Sequence, residues 1–482
     1  MTRHPLNGRA IARSTPMRRV ALAALGVLLT GCASMSPDGG FGTVEKATAE
    51  RLGAPVQLAW ARQPGDLERI AQRVGDLLGR PLSMDDAVQV ALLNNRGLQA
   101  AYADLGITEA EIVQAGRLPN PGFSIGRTTA GDEIERERGL HLNLARLIAL
   151  PLVQRAEASR LAQVRSTVAM QVLSLAADTR KAWVQAVAAE ESVRYSRQVM
   201  QAAEAGAELA RRMAQVGNFN KLQQAREQGF YADAALNLAR ADLQQRATRE
   251  RLTRLLGLWG DQTSFQLPPR LPDLPTQPRD LPDIEHTALA QRLDVAAARS
   301  SAEATARHLG LTRTTRFVNV LDLGLSRSSS NAGHRQHGWE IELQLPLFDW
   351  GDARVARAEG LYMQALHRAA DTAIHARSEV REAYGAYRSA WDIARHQRDE
   401  IVPLKARISE ENLLRYNGML IGVFELLADA RSQIASVHGA IDALRDFWLA
   451  QADLDMALVG KPSLTATAGP AMGAGPAADP GH

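Results

Sequence analysis

The chain has 482 residues, 45% hydrophobic and only 5% aromatic. It is long enough for several domains, and its stretches rich in Ala, Leu, Arg, Glu and Gln favour long helices over a β-sandwich or an α/β enzyme. The formal charge of +3 belongs to the start of the chain: Arg3, Arg9, Arg13, Arg18 and Arg19 stand there without an acid, and without them the 56 basic residues fall just below the 53 acidic ones. A near-neutral body gives no support to nucleic-acid binding, and a single cysteine excludes an intramolecular disulfide.

That cysteine, Cys32, follows a basic region ending at Arg18-Arg19, an apolar run from Val20 to Leu29, and the residues Leu29-Thr30-Gly31. The pattern resembles a bacterial lipoprotein signal, cut before a cysteine that carries acyl chains. Residues 1–31 are therefore expected to be a signal peptide and Cys32 the lipidated residue; an ordinary secretory signal with a chance cysteine is the alternative. Ala33 and Ser34 are not the acidic pair associated with inner-membrane retention, which resembles outer-membrane sorting. No later run reaches the ~20 apolar residues of a membrane helix, so any later crossing must be made by strands.

After a segment, 32–81, expected to be N-terminal and periplasmic, the chain repeats itself. Lys181-Ala182-Trp183 resembles Glu382-Ala383-Tyr384 (384 − 183 = 201), Leu142-Asn143-Leu144 resembles Leu343-Gln344-Leu345, and Gly217 resembles Gly418, all at that offset. Ala91-Leu92 and Ala100-Ala101 match Ala288-Leu289 and Ala297-Ala298 (288 − 91 = 197). The repeats are placed at 82–258 and 284–460, with a linker at 259–283. Leu267 to Asp283 holds six prolines and cannot be a helix or an inner strand. The tail 461–482, mostly Ala, Gly and Pro from Thr465 on, is expected to be disordered.

Each copy reads helix, strand, strand, long helix, helix. In copy one the first helix is expected over Met84 to Ala115, ending before Leu118-Pro119-Asn120-Pro121. The long helix is expected from Val153 to Ala214, on the order of 90 Å, and a helix returns from Lys221 to Leu256. Leu161, Val164, Val168, Val172 and Leu175 recur at a coiled-coil spacing. In copy two the helices are expected at Ile284 to Leu311, Ala353 to Tyr416 and Val423 to Leu458. A soluble coiled-coil scaffold explains these helices but not the strands between them.

In copy two, Trp339, Ile341, Leu343 and Leu345 alternate with Glu340, Glu342 and Gln344, and Leu321, Leu323 and Leu325 alternate with Asp322, Gly324 and Ser326. A polar loop is expected from Ser328 to His337. Copy one shows Phe123 and Ile125, a charged loop from Asp132 to Arg138, then Leu140, Leu142 and Leu144 between His141 and Asn143. A soluble sheet with one solvated face gives the same alternation. Beside a lipid-anchor signal, each segment approaches the ~9–11 residues of a membrane strand, with Trp339 and Trp350 as the outer and inner aromatic girdles. Four strands cannot close a barrel and an open edge cannot sit in lipid, so the chain must oligomerise. Two copies give the eight-strand minimum, filled by side chains, and three give twelve, wide enough for a conduit.

In these features the chain resembles the TolC-like outer-membrane efflux protein family, over roughly Leu82 to Val459. The matching pieces are Ala87 to Ala101 with Asn94-Asn95, Leu118-Pro119-Asn120-Pro121, Pro346-Leu347-Phe348-Asp349-Trp350-Gly351 at a strand-to-helix junction, and a hairpin tip with Tyr416, Gly418, Leu426-Leu427 and Ala430. The resemblance implies a mainly α fold with a membrane β part: a homotrimer with a 12-stranded β-barrel on a long α-helical tunnel through the periplasm. It implies lipid-anchored residence in the outer membrane, a periplasmic adaptor protein docked at the hairpin tips (Gly217, Asn218, Gly418 and Met419), and an inner-membrane pump. It also implies a narrowing just beyond the second tip, where the acids are Glu425 and Asp429. These are four apart on one helix face; a solvated surface pair has the same spacing. Copy one's junction, Leu147-Ile148-Ala149-Leu150-Pro151, lacks the Phe-Asp-Trp-Gly form, and Met419-Leu420-Ile421-Gly422 is unusually apolar for a tip.

His334 and His337 share the outer loop, and His367 and His375 are eight apart on a helix, about 12 Å of rise. Neither pair has enough ligands for a tight metal site, so no metal and no cofactor are expected. No phosphate loop, nucleophile elbow or metal-hydrolase motif occurs, so an enzyme is not expected. Three functions stay open: a small-solute efflux duct for drugs or heavy metals, the outer-membrane exit duct of a type I protein-secretion system, and a non-conducting periplasm-spanning lipoprotein scaffold.

Overall fold

The computed structural model describes residues 35–52, 56–315, 320–343 and 347–463. The signal-peptide expectation for 1–31, the lipidation site Cys32 and the tail from 464 lie outside these, as do Gln344, Leu345 and Pro346. In chain order the elements are α1 (Phe41–Leu52), α2 (Pro64–Leu78), α3 (Met84–Asn94), α4 (Arg96–Ala115), β1 (Gly122–Ala130), β2 (Glu133–Asn143), α5 (Leu144–Gln215) and α6 (Lys221–Leu256). They continue with α7 (Ile284–Gln291), α8 (Leu293–Thr315), β3 (Leu321–Ser330), β4 (Arg335–Leu343), α9 (Asp352–His396), a π-helical turn (Gln397–Ile401), α10 (Val402–Asn417) and α11 (Val423–Val459). The chain is thus mainly helical, with a helix–strand–strand–helix–helix order that occurs twice.

Two compact units interleave along the chain. One comprises Met1–Gly39, Gly106–Leu161 and Glu303–Gln364; the other comprises Gly40–Leu105, Ala162–Ala302 and Ala365–His482. The first contains the sheet, four antiparallel strands in the order β1-β2-β3-β4.

The charged stretch Asp132 to Arg138 is not a loop. Its residues from Glu133 on are the first half of β2, and the turn is only Gly131 and Asp132, with Ala130 opposite Glu133. Gly131 takes φ +59°, the left-handed conformation a tight hairpin turn needs. The loop expected from Ser328 to His337 likewise shrinks, because Ser329 pairs with Arg335. Charged side chains do not bar a strand when both faces are exposed. The long helix of copy one starts at Leu144 rather than Val153 and carries Pro151 within it.

The second unit holds two apolar clusters. In one, Trp183 packs among Leu82, Val90, Ala91, Val187, Leu252 and Leu256, and its indole N–H donates to the Leu82 carbonyl at 2.8 Å. In the other, Tyr387, Trp391, Phe447 and Leu454 pack together. The proline-rich stretch is extended, as its composition requires. Its carbonyls cap the second cluster: Trp391 donates to Pro275 O and Trp448 to Pro272 O, both at 3.0 Å, while Tyr387 accepts from the Arg279 amide at 2.9 Å.

The first helix of each copy is broken where one helix was expected. Asn95 has φ −66° and ψ 118°, and Arg292 has φ −66° and ψ 126°; the two breaks keep the repeat offset (292 − 95 = 197). At the first, Asn94 Nδ2 donates to the carbonyls of Leu256 and Gly257, and Asn95 Nδ2 to that of Leu255, while Asn95 Oδ1 caps Leu98 N. Gly257 takes φ +66°, and a Cβ there would stand 2.7 Å from the Asn94 carbonyl oxygen, so no other residue fits. At the second break, Arg292 is 1% exposed and paired with Asp294 and Glu379.

The long helix of copy two, expected to run unbroken from Ala353 to Tyr416, is divided by the π turn. A π turn spans one residue more than an α turn, and the repeat offset grows by one across it. The left-handed residue at the first tip is Gly217 and at the second is Met419 (419 − 217 = 202), not Gly418. The N-caps of the following helices, Asn220 and Gly422, keep that offset.

Candidate functional site

The sheet has two chemically distinct faces, set by its register. Phe123, Leu140, Leu325 and Trp339 lie opposite one another across the four strands, as do Leu142, Leu323 and Ile341, and then Leu321 and Leu343. Directly opposed residues share a face, so these nine side chains form one continuous apolar surface. Phe123, Leu325, Trp339, Ile341 and Leu343 on it are all exposed, as are Leu347, Phe348 and Trp350 just beyond β4. Among the described residues nothing covers these exposed side chains, which a water-soluble sheet would bury.

The opposite face is small and polar: Gly122, His141, Gly324 and Glu340 in one row, Ser124, Gly139, Ser326 and Gly338 in the next, and Asn143, Asp322 and Glu342 in a third. His141 lies over its glycines, with Nε2 at 3.1 Å from Ser124 Oγ. A face of Gly and Ser leaves space above it rather than packing against a second layer. Strands β1 and β4 each have one unpaired edge. Among the described residues no helix is long and apolar enough to cross a membrane, and no group of three or more His, Cys, Asp or Glu could hold a metal ion. His334 and His337 are exposed, on the loop and on β4.

In the second unit, α5 and α6 meet at a tip built by Gly217 (φ +79°), with Asn218 N donating to Met213 O at 2.9 Å. The tip between α10 and α11 repeats this: Leu420 N donates to Arg415 O at 2.9 Å, and Met419 takes φ +60°. The left-handed residue after a helix is ordinarily glycine; Met419 holds it instead, with 93% of its surface exposed and Gly418 beside it at an ordinary φ. Glu425 stands in the first turn of α11, exposed, and Asp429 one turn on, half-buried. The Oδ2 atom of Asp429 is buried without a hydrogen-bond partner, an arrangement that is costly for a carboxylate.

One pair beside these acids has no signature in the sequence. Arg431 of α11 meets Glu227 of α6 at 2.6 Å; Glu227 is 3% exposed and the arginine 34%. The guanidinium also stacks 4.5 Å over Phe230. Farther along, Tyr195 and His438 stack edge to face at 4.8 Å. Burial holds the His438 imidazole below its usual range, against the attraction of Asp442, and burial raises the Tyr195 phenol. At the far end of α11, Lys181 spends all its donors on Asp453, Ser463 O and Ser463 Oγ at 2.7–2.8 Å.

No family model matches the chain. In sequence it is 26% identical over 281 residues to the cobalt-zinc-cadmium resistance protein CzcC of Cupriavidus metallidurans, a match covering 56% of this chain and 64% of that protein. The chain therefore spans somewhat less than two thirds of the curated relative it matches. In structure it is similar to a membrane protein from Pseudomonas aeruginosa, with a TM-score of 0.67 and 20% identity over 84% of this chain and 97% of that one. It is also similar to the CmeC outer membrane channel of Campylobacter jejuni, with a TM-score of 0.66 and 18% identity over 78% of this chain and 85% of that one. In fold over most of its length the chain is therefore similar to an outer membrane channel, and in sequence over 281 residues to CzcC.

Proposed function

We propose that the chain is one subunit of a homotrimeric outer-membrane channel in a tripartite efflux system, passing small solutes from an inner-membrane pump and a periplasmic adaptor to the exterior. The observation that carries this reading is the sheet: one uncovered apolar face, one small polar face and two free edges. Lipid tolerates the first but not open edges, so further copies must pair with β1 and β4. Three copies make a twelve-stranded wall with the glycine and serine face around water. A non-conducting scaffold would leave the apolar face without a role, and nothing in this reading calls for catalysis.

Within it, residues 1–31 are a signal peptide and Cys32 carries the acyl anchor beside outer-membrane lipid. The segment 32–81 lies in the periplasm, and the repeats span 82–258 and 284–460, joined by 259–283 and followed by the tail 461–482. Gly217, Asn218, Gly418 and Met419 meet the adaptor. Glu425 and Asp429, tripled about an axis, ring the periplasmic mouth and favour cations. The name of CzcC speaks of cobalt, zinc and cadmium resistance, which supports heavy-metal ions over drugs as cargo.

The mouth is tested in a planar bilayer. Changing Glu425→Gln with Asp429→Asn should raise the resting conductance, weaken cation preference, and relieve block by divalent cations added on the periplasmic side. A variant that keeps parental conductance, selectivity and block would return the pair to the solvated surface.

A further inference from the structure

Every charged side chain of the sheet is sorted by sign. The acids of the four strands, Glu133, Glu135, Glu137, Asp322, Glu340 and Glu342, all project from the polar face; the arginines, Arg127, Arg136, Arg138, Arg327 and Arg335, all project from the apolar one. On that face the arginines stand at the turn end, immediately past the row that contains Trp339. The first basic row reads Ile125, Arg138, Arg327 and His337 across the strands; the second reads Arg127, Arg136, Ser329 and Arg335.

All five arginines are exposed. Arg127 is directly opposite Arg136, and Arg138 directly opposite Arg327. Like charges opposed across a pair of strands repel, and the face offers no acid to relieve them. Strand spacing is about 4.8 Å, so each opposed pair places two guanidinium groups where one multivalent oxyanion could bridge them, with the bidentate geometry that arginine gives to phosphate.

The geometry points to a docking surface for the phosphorylated headgroups of the lipids in which the barrel sits, on the leaflet at its turn end. This rests on the reading of the apolar face as lipid-facing, and adds what lies at its upper boundary. Three observations favour a lipid over another occupant. The basic rows continue the apolar surface without a gap. An indole, Trp339, sits at the boundary, where interfacial aromatics lie. The acids that would repel phosphate are all turned to the other face. A basic cluster at the membrane boundary strengthens attachment to anionic lipid about fivefold for each arginine, so the patch selects lipids by headgroup charge.

The test uses the full-length protein, extracted with its lipids and reconstituted in vesicles of phosphatidylcholine containing either diphosphorylated lipid A or the same lipid A stripped of its phosphates. Lipid retained through detergent exchange is counted by mass spectrometry. The wild type should retain at least about tenfold more phosphorylated than dephosphorylated lipid. The pair R138Q and R327Q together should lose most of that preference, and all five arginines changed to Gln should abolish it. A control carrying E133Q, E135Q and E137Q, on the opposite face, should keep it.

Inorganic phosphate at millimolar concentration should not displace the lipid. Displacement would assign the patch to the free anion and overturn the lipid docking. Equal retention of both lipids by the wild type, or an unchanged preference in R138Q/R327Q, would also overturn it. Should the five-fold variant not insert, the two-residue variant still decides. Failure of the wild type to enter any vesicle would overturn the channel reading itself, whereas insertion without headgroup preference overturns the docking surface alone.

Discussion

Changing Arg431→Met leaves the Glu227 carboxylate, 3% exposed, without its partner at 2.6 Å. Breaking a buried pair from one side costs about 3–5 kcal/mol. Arg431 is itself 34% exposed, so water can follow the cut and the lower end applies. The lost stacking over Phe230 adds about 0.5–1 kcal/mol, giving about 3.5–4 kcal/mol in all, or several hundredfold in the equilibrium that holds the two hairpins together. Because the pair joins α11 to α6 near the second tip, the change should first appear as local opening. Proteolysis between Asn417 and Val423 should accelerate by between about two and three orders of magnitude, and resting conductance in a bilayer should rise. The double variant Glu227→Leu with Arg431→Met removes both charges and should recover most of the loss. Unchanged cleavage in the single variant, or a double variant as loose as the single one, would refute the reasoning.

Arg292→Met strands Asp294 and Glu379 beside a residue 1% exposed; unfolding should become easier by about 3–5 kcal/mol, read from denaturant melts. His438 is held neutral by burial below its ordinary value of 6.5. The unfolded chain therefore binds the proton more readily, and the stability this residue contributes is complete above pH about 6.5 and declines as pH falls through that value toward the depressed one. A His438→Phe variant should show a flatter acid limb in thermal melts, and an unchanged limb would contradict the assignment. Met419→Gly removes a left-handed cost of about 1–2 kcal/mol, partly offset by the glycine's entropy. Exchange of the Leu420 amide, bonded to Arg415 O, should slow by up to about fivefold; acceleration would show that the methionine side chain holds the tip.

Much of the fold was legible because it is written twice. The order of elements and the strands at Leu321 and Trp339 follow from periodicity, the extended stretch from its prolines, and the partners in copy one from the repeat. Three things were hidden for physical reasons. The stretch from Asp132 to Arg138 reads as a solvated loop because six of its seven residues are charged; only the register shows that acids and arginines leave on opposite faces. The helix breaks at Asn95 and Arg292 come from tertiary bonds, to Leu255 O and to Glu379, that no local propensity encodes. The π turn at Gln397–Ile401 absorbs one extra residue, so pairing Gly217 with Gly418 by identity misses by one the position the backbone uses, Met419. Near the second tip, the spacing of Glu425 and Asp429 was visible, but Glu227 and Arg431, 204 residues apart, had no common pattern to reveal them.

The central claim is that three copies close the sheet edges into a conducting wall. It is tested most directly by measuring the detergent-corrected mass of the purified protein and recording the same sample in a planar bilayer. The account predicts a mass of three chains and discrete, ohmic channel events. A stable monomer, or a trimer that inserts and never conducts, would contradict it.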